Sequence, residues 1–399
     1  MSVTSITEFD AKLKQVFGSN TSSAPLVDDT RMGRRIYGVD LTQPLNPEQS
    51  RLMVDLLDRF SVISFPGQDQ RGFRLAYLER LANHFGAPIP HPKNYANYVE
   101  YKNNNAPLAL PPVSEQTHTK CNQAFPDDFQ CIEDADSPAV YIVTNLLGSG
   151  PDAQEQSMGS LHWHTDIEFE PEPLSTSMFY VQAAPTTRNS PEGTWVSPQP
   201  RAPGYYHKDS APELMQRRNV LPLNGETAYA DTAAAYADLS TQDKQALDGQ
   251  MVRRRLRVGD PGWLIPLVYT NPRTGMKSLH SPVWASRGKN IAPVEVDGLS
   301  GDASRLFLDR LEAHVLQSKY RYDHIHTPGD VTLWSNFATL HNAPACKSVI
   351  NDPADTRLMY RISCKGQPCY SLPRLDPEAW IEQNITPPYT SPAAYTTSR

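Results

Sequence analysis

The sequence predicts a mostly β fold with flanking helices, built on a β-barrel or jelly-roll core rather than a parallel α/β sheet. Two observations carry this reading. Many short strand-like stretches, each bounded by turn residues, crowd residues 138–366. Strong helical periodicity, by contrast, is concentrated before them and in a few later segments. A chain of 399 residues holds either two or three average domains or one large β domain with long insertions, and no internal repeat divides it.

Residues 1–30 are polar, with a Ser/Thr/Asn cluster from Ser19 to Ser23, and read as a flexible arm. Asn46 is a good N-cap and Pro47 suits a first helical turn. The apolar stripe Leu52, Met53, Leu56, Leu57 and Phe60 then marks a helix. Ser61 to Phe65 reads as a strand stopped by Pro66-Gly67. A second helix carries Phe73, Tyr77, Leu78, Leu81 and Phe85 and ends at Gly86. Ser240 to Asp243 resembles a capping box opening a helix that closes at Gly249, and another helix is expected over Ala303–Gln317. The 36 prolines, about 9% of the chain against roughly 5% on average, fall mainly in loop-like stretches and point to insertions. Residues 102–136 and 187–217 are too long for ordinary connections, and read as lids, substrate-contacting loops or mobile segments. The expected organisation is one jelly-roll domain over 31–366 and a C-terminal extension over 367–399.

A net charge of −7, with no basic block beyond Arg253-Arg254-Arg255, excludes a nucleic-acid partner. No apolar run approaches the ~20 residues that span a bilayer. Met1 to Lys14 lacks the apolar stretch of a signal peptide. The odd set Cys121, Cys131, Cys346, Cys364 and Cys369 fits free thiols, and a reducing cytoplasmic location is expected. A homo-oligomer is compatible with all of this.

The residues that carry chemistry begin at Leu161-His162-Trp163-His164-Thr165-Asp166. On a strand His164 and Asp166 point to the same side. One imidazole and one carboxylate are two-thirds of the triad that holds non-haem Fe(II), and His341 is the candidate for the second histidine. His162 and His164 would share a face equally well, which keeps a His-x-His metal pair open. Near the C-terminus, Thr356 to Ser363 alternates, so Arg357, Met359 and Arg361 face one way and Leu358, Tyr360 and Ile362 the other. An inward arginine pair implies an anionic ligand or buried carboxylates; an outward pair simply meets solvent.

His-x-Asp, a distant His and then Arg-x-x-x-Arg, in that order, resemble the taurine dioxygenase (TauD/TfdA) family of Fe(II)/2-oxoglutarate oxygenases. Gly38 to Leu41 with Val62 to Gly67, Phe85-Gly86 with His91-Pro92, Gly225-Glu226-Thr227 with Ala234 to Tyr236, and Pro328-Gly329-Asp330 with Trp334 and Asn336 extend the resemblance over residues 31–366. It implies a double-stranded β-helix (jelly roll, cupin-like) core. It implies Fe(II) bound by His164, Asp166 and His341. Arg357 would pair with the distal carboxylate of 2-oxoglutarate, with Thr227 donating to the same group. His91 and Arg361 would hold an acidic group on a small organic substrate. The implied reaction consumes O2 and 2-oxoglutarate, releases succinate and CO2, and hydroxylates, desaturates or cyclises that substrate.

Some positions depart from the family pattern. Ser335 replaces an acidic residue, and Ser160 stands where the taurine enzyme has Asn, which argues against taurine itself. Retained Asp166 argues against a halogenase. His324 and His326 are read as structural. Two other classes remain on the sequence alone: a non-catalytic jelly roll binding a small acid, and a Zn-dependent hydrolase using His162, His164 and His341.

Overall fold

The computed structural model describes residues 6–28, 30–89, 115–130, 139–146, 156–157, 162–189, 193–198, 209–256, 258–285, 292–343 and 345–372. Two antiparallel layers organise it. The larger sheet contains β1 (Ser22–Pro25), β2 (Arg34–Tyr37), β3 (Val62–Phe65), β4 (Ala87–Ile89), β5 (Tyr141–Thr144), β6 (Thr176–Ala183), β9 (Val331–Ser335) and β11 (Leu358–Lys365). Its order is β1-β2-β3-β9-β6-β11-β4, with β5 also on β11. Every pairing is antiparallel except β2–β3. The smaller sheet places β7 (Thr227–Asp231) between β8 (Arg321–His324) and β10 (Thr339–Asn342).

Period-two alternation assigns each face. Ile63, Phe65, Met178, Tyr180, Val331, Leu333, Leu358, Tyr360 and Ile362 turn outward into one apolar cluster, against α2 (Pro47–Phe60) and α3 (Leu75–Phe85). Val62, Phe179, Val181, Trp334 and Met359 turn inward, where Tyr229 of β7 joins them. The Trp334 ring lies 4.9 Å from Phe179 and 5.8 Å from Tyr229, so aromatic side chains fill the space between the sheets. On the far side of the small sheet, Ala228, Ala230 and Leu340 pack against Leu308, Leu311 and Val315 of a helix over Gly301–Val315.

The helices follow their caps. The Asn46 side chain accepts from Glu48 N and Gln49 N, while Gln49 returns a bond to Asn46 N. Ser240 accepts from Asp243 N ahead of the helix Thr241–Leu247. The expected arm is corrected in part: α1 (Ile6–Phe17) is a helix that buries Leu13, and β1 pairs with β2. Phe9, Leu13, Val16 and Phe17 form an apolar stripe that docks on the core, which a mere count of polar residues conceals. In the first insertion, helix Glu115–Ala124 places Cys121 in the outer cluster, and Gln130 bonds Leu75 N and Phe73 O. The described part of that insertion, residues 115–130, thus packs on the helical face. In the second insertion, Trp195 and Val196 are buried and Pro212–Asn219 is helical. Cys121, Cys346, Cys364 and Cys369 are free; Cys131 lies outside the described residues. No described helix is long and apolar enough to cross a membrane.

The Pro328-Gly329-Asp330 turn sets the start of β9. Gly329 has φ 84°, and a Cβ there would lie 2.5 Å from the Gln68 carbonyl oxygen. Its amide donates to Val181 O and its carbonyl accepts from Gln68 N. Gly329→Ala is therefore expected to destabilise the protein by about 1–3 kcal/mol. A denaturant midpoint equal to the wild type would contradict that account of the turn.

Candidate metal centre

His164 meets the free edge of β10 through an isolated bridge: its amide donates to His341 O at 3.1 Å, and His341 N donates back at 2.9 Å. The two rings then face each other with centroids 4.4 Å apart. Beyond His164 the chain leaves the sheet. Residues 166–169 form a turn in which Ile167 adopts φ 51°, a strained conformation for a β-branched side chain. The strand geometry expected for His-x-Asp is thus corrected. Asp166 reaches the imidazoles from a turn, and the same residues still converge.

Among the described residues, His164, Asp166 and His341 bring one ligand atom each within 4.8 Å of one another. Asp166 Oδ1 lies 3.5 Å from His341 Nε2 and 4.0 Å from His164 Nε2. His164 Nδ1 lies 3.2 Å from the His162 carbonyl, to which it can donate, leaving Nε2 turned to the cluster as a ligand requires. Two imidazoles and a carboxylate are a donor set suited to Fe(II). His162 does not join them; its Nδ1 lies 3.3 Å from Ala285 O. The His-x-His alternative, and the zinc reading that needs it, lose their third ligand.

Asp166 is held from behind. Its Oδ2 accepts from Ser177 Oγ at 2.9 Å, and Ser177 in turn contacts Asn336 Nδ2 at 3.0 Å and Ser363 Oγ at 2.9 Å. Arg361 also forms an ion pair with Oδ2. Its guanidinium lies 5.2 Å from the Trp334 ring centroid and 5.6 Å from that of Phe179, so Arg361 faces the interior. Of the two alternatives for an inward arginine, a buried carboxylate is present for Arg361, since Asp166 pairs with it. His91 and Ser160 lie outside the described residues.

A second polar region surrounds Arg357, which is 6% exposed. Its backbone is fixed by Asn145 Oδ1 on its amide and by Thr144 Oγ1 on its carbonyl. No carboxylate among the described residues forms an ion pair with its side chain. Burial pulls its pKa below the usual arginine value; Cys346 and Tyr229 oppose that shift, and the Arg188 guanidinium adds to it. Thr227 is inward on β7, its Oγ1 2.8 Å from His326 Nε2. His326 stays neutral, its pKa driven far down by burial and by His324, Arg357 and Arg188.

His324 fits its structural reading, with Tyr322 OH at 2.7 Å and Thr332 Oγ1 at 3.0 Å on its two nitrogens. His326 instead reaches the region around Arg357. The sequence reading also missed Ser177, Arg188 and Tyr229. Tyr229 had a signal, standing two residues after Thr227 on one face of one strand. Ser177 had none, since it meets Asp166 only through the tertiary fold.

The model of the family described as "Taurine catabolism dioxygenase TauD, TfdA family" matches residues 22–363. Pentalenolactone F synthase of Streptomyces arenae is 24% identical over 250 residues, covering 56% of this chain and 68% of that protein. The alpha-ketoglutarate-dependent 2,4-dichlorophenoxyacetate dioxygenase of a Burkholderia species is 27% identical over 177 residues, covering 40% of this chain and 54% of the relative. A taurine dioxygenase structure from Burkholderia xenovorans superposes with a TM-score of 0.51 at 20% identity, covering 87% of this chain and 90% of the other. That likeness is one of fold.

Proposed function

The chain belongs to the TauD/TfdA family, and on that footing we propose that this alpha-ketoglutarate (2-oxoglutarate)-dependent oxidoreductase holds Fe(II) with His164, Asp166 and His341, anchors 2-oxoglutarate with Arg357 and Thr227, and uses O2 to oxidise a small organic acid. The observation that carries the reading is the convergence of those three side chains between the two sheets. We read residues 31–366 as one domain whose facing sheets form a double-stranded β-helix. A reducing cytoplasmic setting suits both the ferrous ion and the free thiols.

Bound iron supplies O2 activation, coupled to conversion of 2-oxoglutarate to succinate and CO2. The protein contributes geometry. Asp166 offers Oδ1 to the metal while Ser177 and Arg361 fix Oδ2, so the carboxylate cannot rotate away. Trp334, Phe179 and Tyr229 wall the interior and keep water from the reacting groups. The His164 side chain is 18% exposed against 6% for His341, which supports a substrate route past His164.

The acidic group assigned to the substrate rests on Arg361 with His91. A guanidinium has five N–H donors and can serve Asp166 and a substrate anion together. Relatives are named for 2,4-dichlorophenoxyacetate and for taurine, and both molecules carry an anionic group. The test is succinate release under ferrous iron and ascorbate from a panel of small organic acids, each paired with its neutral amide. Acids are expected to stimulate succinate formation and amides not. Equal stimulation by the amides removes the anion clamp, and 2-oxoglutarate consumption by no member of the panel, nor uncoupled, removes the oxygenase reading.

A further inference from the structure

Tyr229 occupies the middle of β7, directly opposite His341 across the β7–β10 pairing. Its side chain is fully buried, with the ring 6.4 Å from the His341 ring and 5.8 Å from Trp334. Its hydroxyl has no hydrogen-bond partner among the described residues. A buried hydroxyl left unmet is destabilising, and phenylalanine would fill the same space without that penalty. The hydroxyl therefore points to an acceptor that the described residues do not supply.

The neighbours identify the acceptor's chemistry. Arg357 is the cation that acts on the Tyr229 phenol, and Tyr229 acts on Arg357 in return. His326 bonds Thr227 through Nε2, and its Nδ1 is likewise buried and unpartnered. A guanidinium with no described carboxylate partner, a threonine hydroxyl and a phenol thus gather on the inner side of one strand and its surroundings, with His326 Nε2 positioned to donate to Thr227 Oγ1 and leave that hydroxyl free to donate. That is a cradle for a carboxylate.

We propose that Tyr229 is a cosubstrate-binding residue, its phenol donating a hydrogen bond to the distal carboxylate of 2-oxoglutarate beside Arg357. The inference rests on Arg357 as the anchor of that carboxylate and deepens the reading given above. Its consequence is selectivity: Tyr229 favours a 2-oxo acid with a second carboxylate over one without it.

The experiment is calorimetric titration of the Fe(II)-loaded protein under anaerobic conditions with 2-oxoglutarate and, separately, with 2-oxobutyrate, which lacks the distal carboxylate. Wild type, Tyr229→Phe and Arg357→Gln are compared, and the ligand-free proteins are melted in parallel. Tyr229→Phe is expected to weaken 2-oxoglutarate binding about tenfold or more, the range for a hydrogen bond to a charged group, and to leave 2-oxobutyrate binding unchanged. Its ligand-free melting temperature should equal or exceed that of the wild type, since no bond within the fold is lost. An unchanged ratio of the two affinities overturns the proposal, as does a lower ligand-free melting temperature, which would show the phenol already bonded within the fold. If Arg357→Gln also leaves 2-oxoglutarate binding intact, the cosubstrate site itself is misplaced. If only Arg357→Gln loses binding, the site stands and Tyr229 has no part in it.

Discussion

Asp166→Ala is expected to strip the protein of ferrous iron and to take succinate formation to background, with His164→Ala and His341→Ala doing the same. Two effects add in the aspartate variant. The site loses its only anionic ligand atom among the three that converge, and Arg361 loses the carboxylate that neutralises it. A buried charge left without its partner typically costs about 3–5 kcal/mol, and here the orphaned cation would also repel the incoming dication. The histidine variants keep Asp166 and Arg361 paired, so they separate loss of a ligand from loss of charge balance. Metal content after gel filtration in ferrous buffer, read beside circular dichroism, is the measurement. His162→Ala should retain its iron, because that ring turns towards Ala285 O. Iron lost from the His162 variant and kept by Asp166→Ala would reverse the ligand assignment.

Legibility in the sequence follows the range of the interactions. The helix over Pro47–Phe60 was readable because its cap, first-turn proline and apolar stripe all lie within a few residues. The faces of Leu358–Lys365 were readable for the same reason: alternation is a local signal, and Leu358, Tyr360 and Ile362 do face the outer cluster. The three candidate ligands were named from a combination of distant motifs in a fixed order, and they do converge, although the strand expected for Asp166 is a turn. Asp166 sits in a turn led by a left-handed Ile167, and a β-branched residue gives no hint of that conformation. The partners of the site were the least accessible. Ser177 reaches Asp166 from the next strand, Arg361 from 195 positions along the chain. No periodicity links such positions; only the closing of one sheet over the other does. The N-terminal helix failed for the opposite reason, since its stripe was local but outweighed by the polar cluster that follows it.

Arg357→Ala is expected to raise the 2-oxoglutarate requirement by on the order of a hundredfold or more, matching the about 3–5 kcal/mol lost when one partner of a buried charged pair is removed. Arg218 supplies the contrast. It is fully buried too, but Glu312 takes it by two bonds and Asp309 adds a third charge, so that guanidinium is complete within the fold. Arg357 is nearly as buried, yet no described carboxylate pairs with its side chain, and burial leaves its pKa below the usual arginine value where the carboxylates around Arg218 outweigh burial and raise that one. A cation kept in that state disfavours the ligand-free fold and is relieved when a carboxylate binds. Removing it should therefore cost affinity and leave ligand-free stability intact. Thr227→Val should weaken 2-oxoglutarate in the same direction and by less, since a hydroxyl contributes one neutral donor where the guanidinium brings charge and a bidentate fork. The measurement is the 2-oxoglutarate concentration giving half-maximal succinate release, with thermal melts of the ligand-free variants alongside. An unchanged requirement in Arg357→Ala would sink the assignment, and a collapse of ligand-free stability would make Arg357 a structural residue like Arg218.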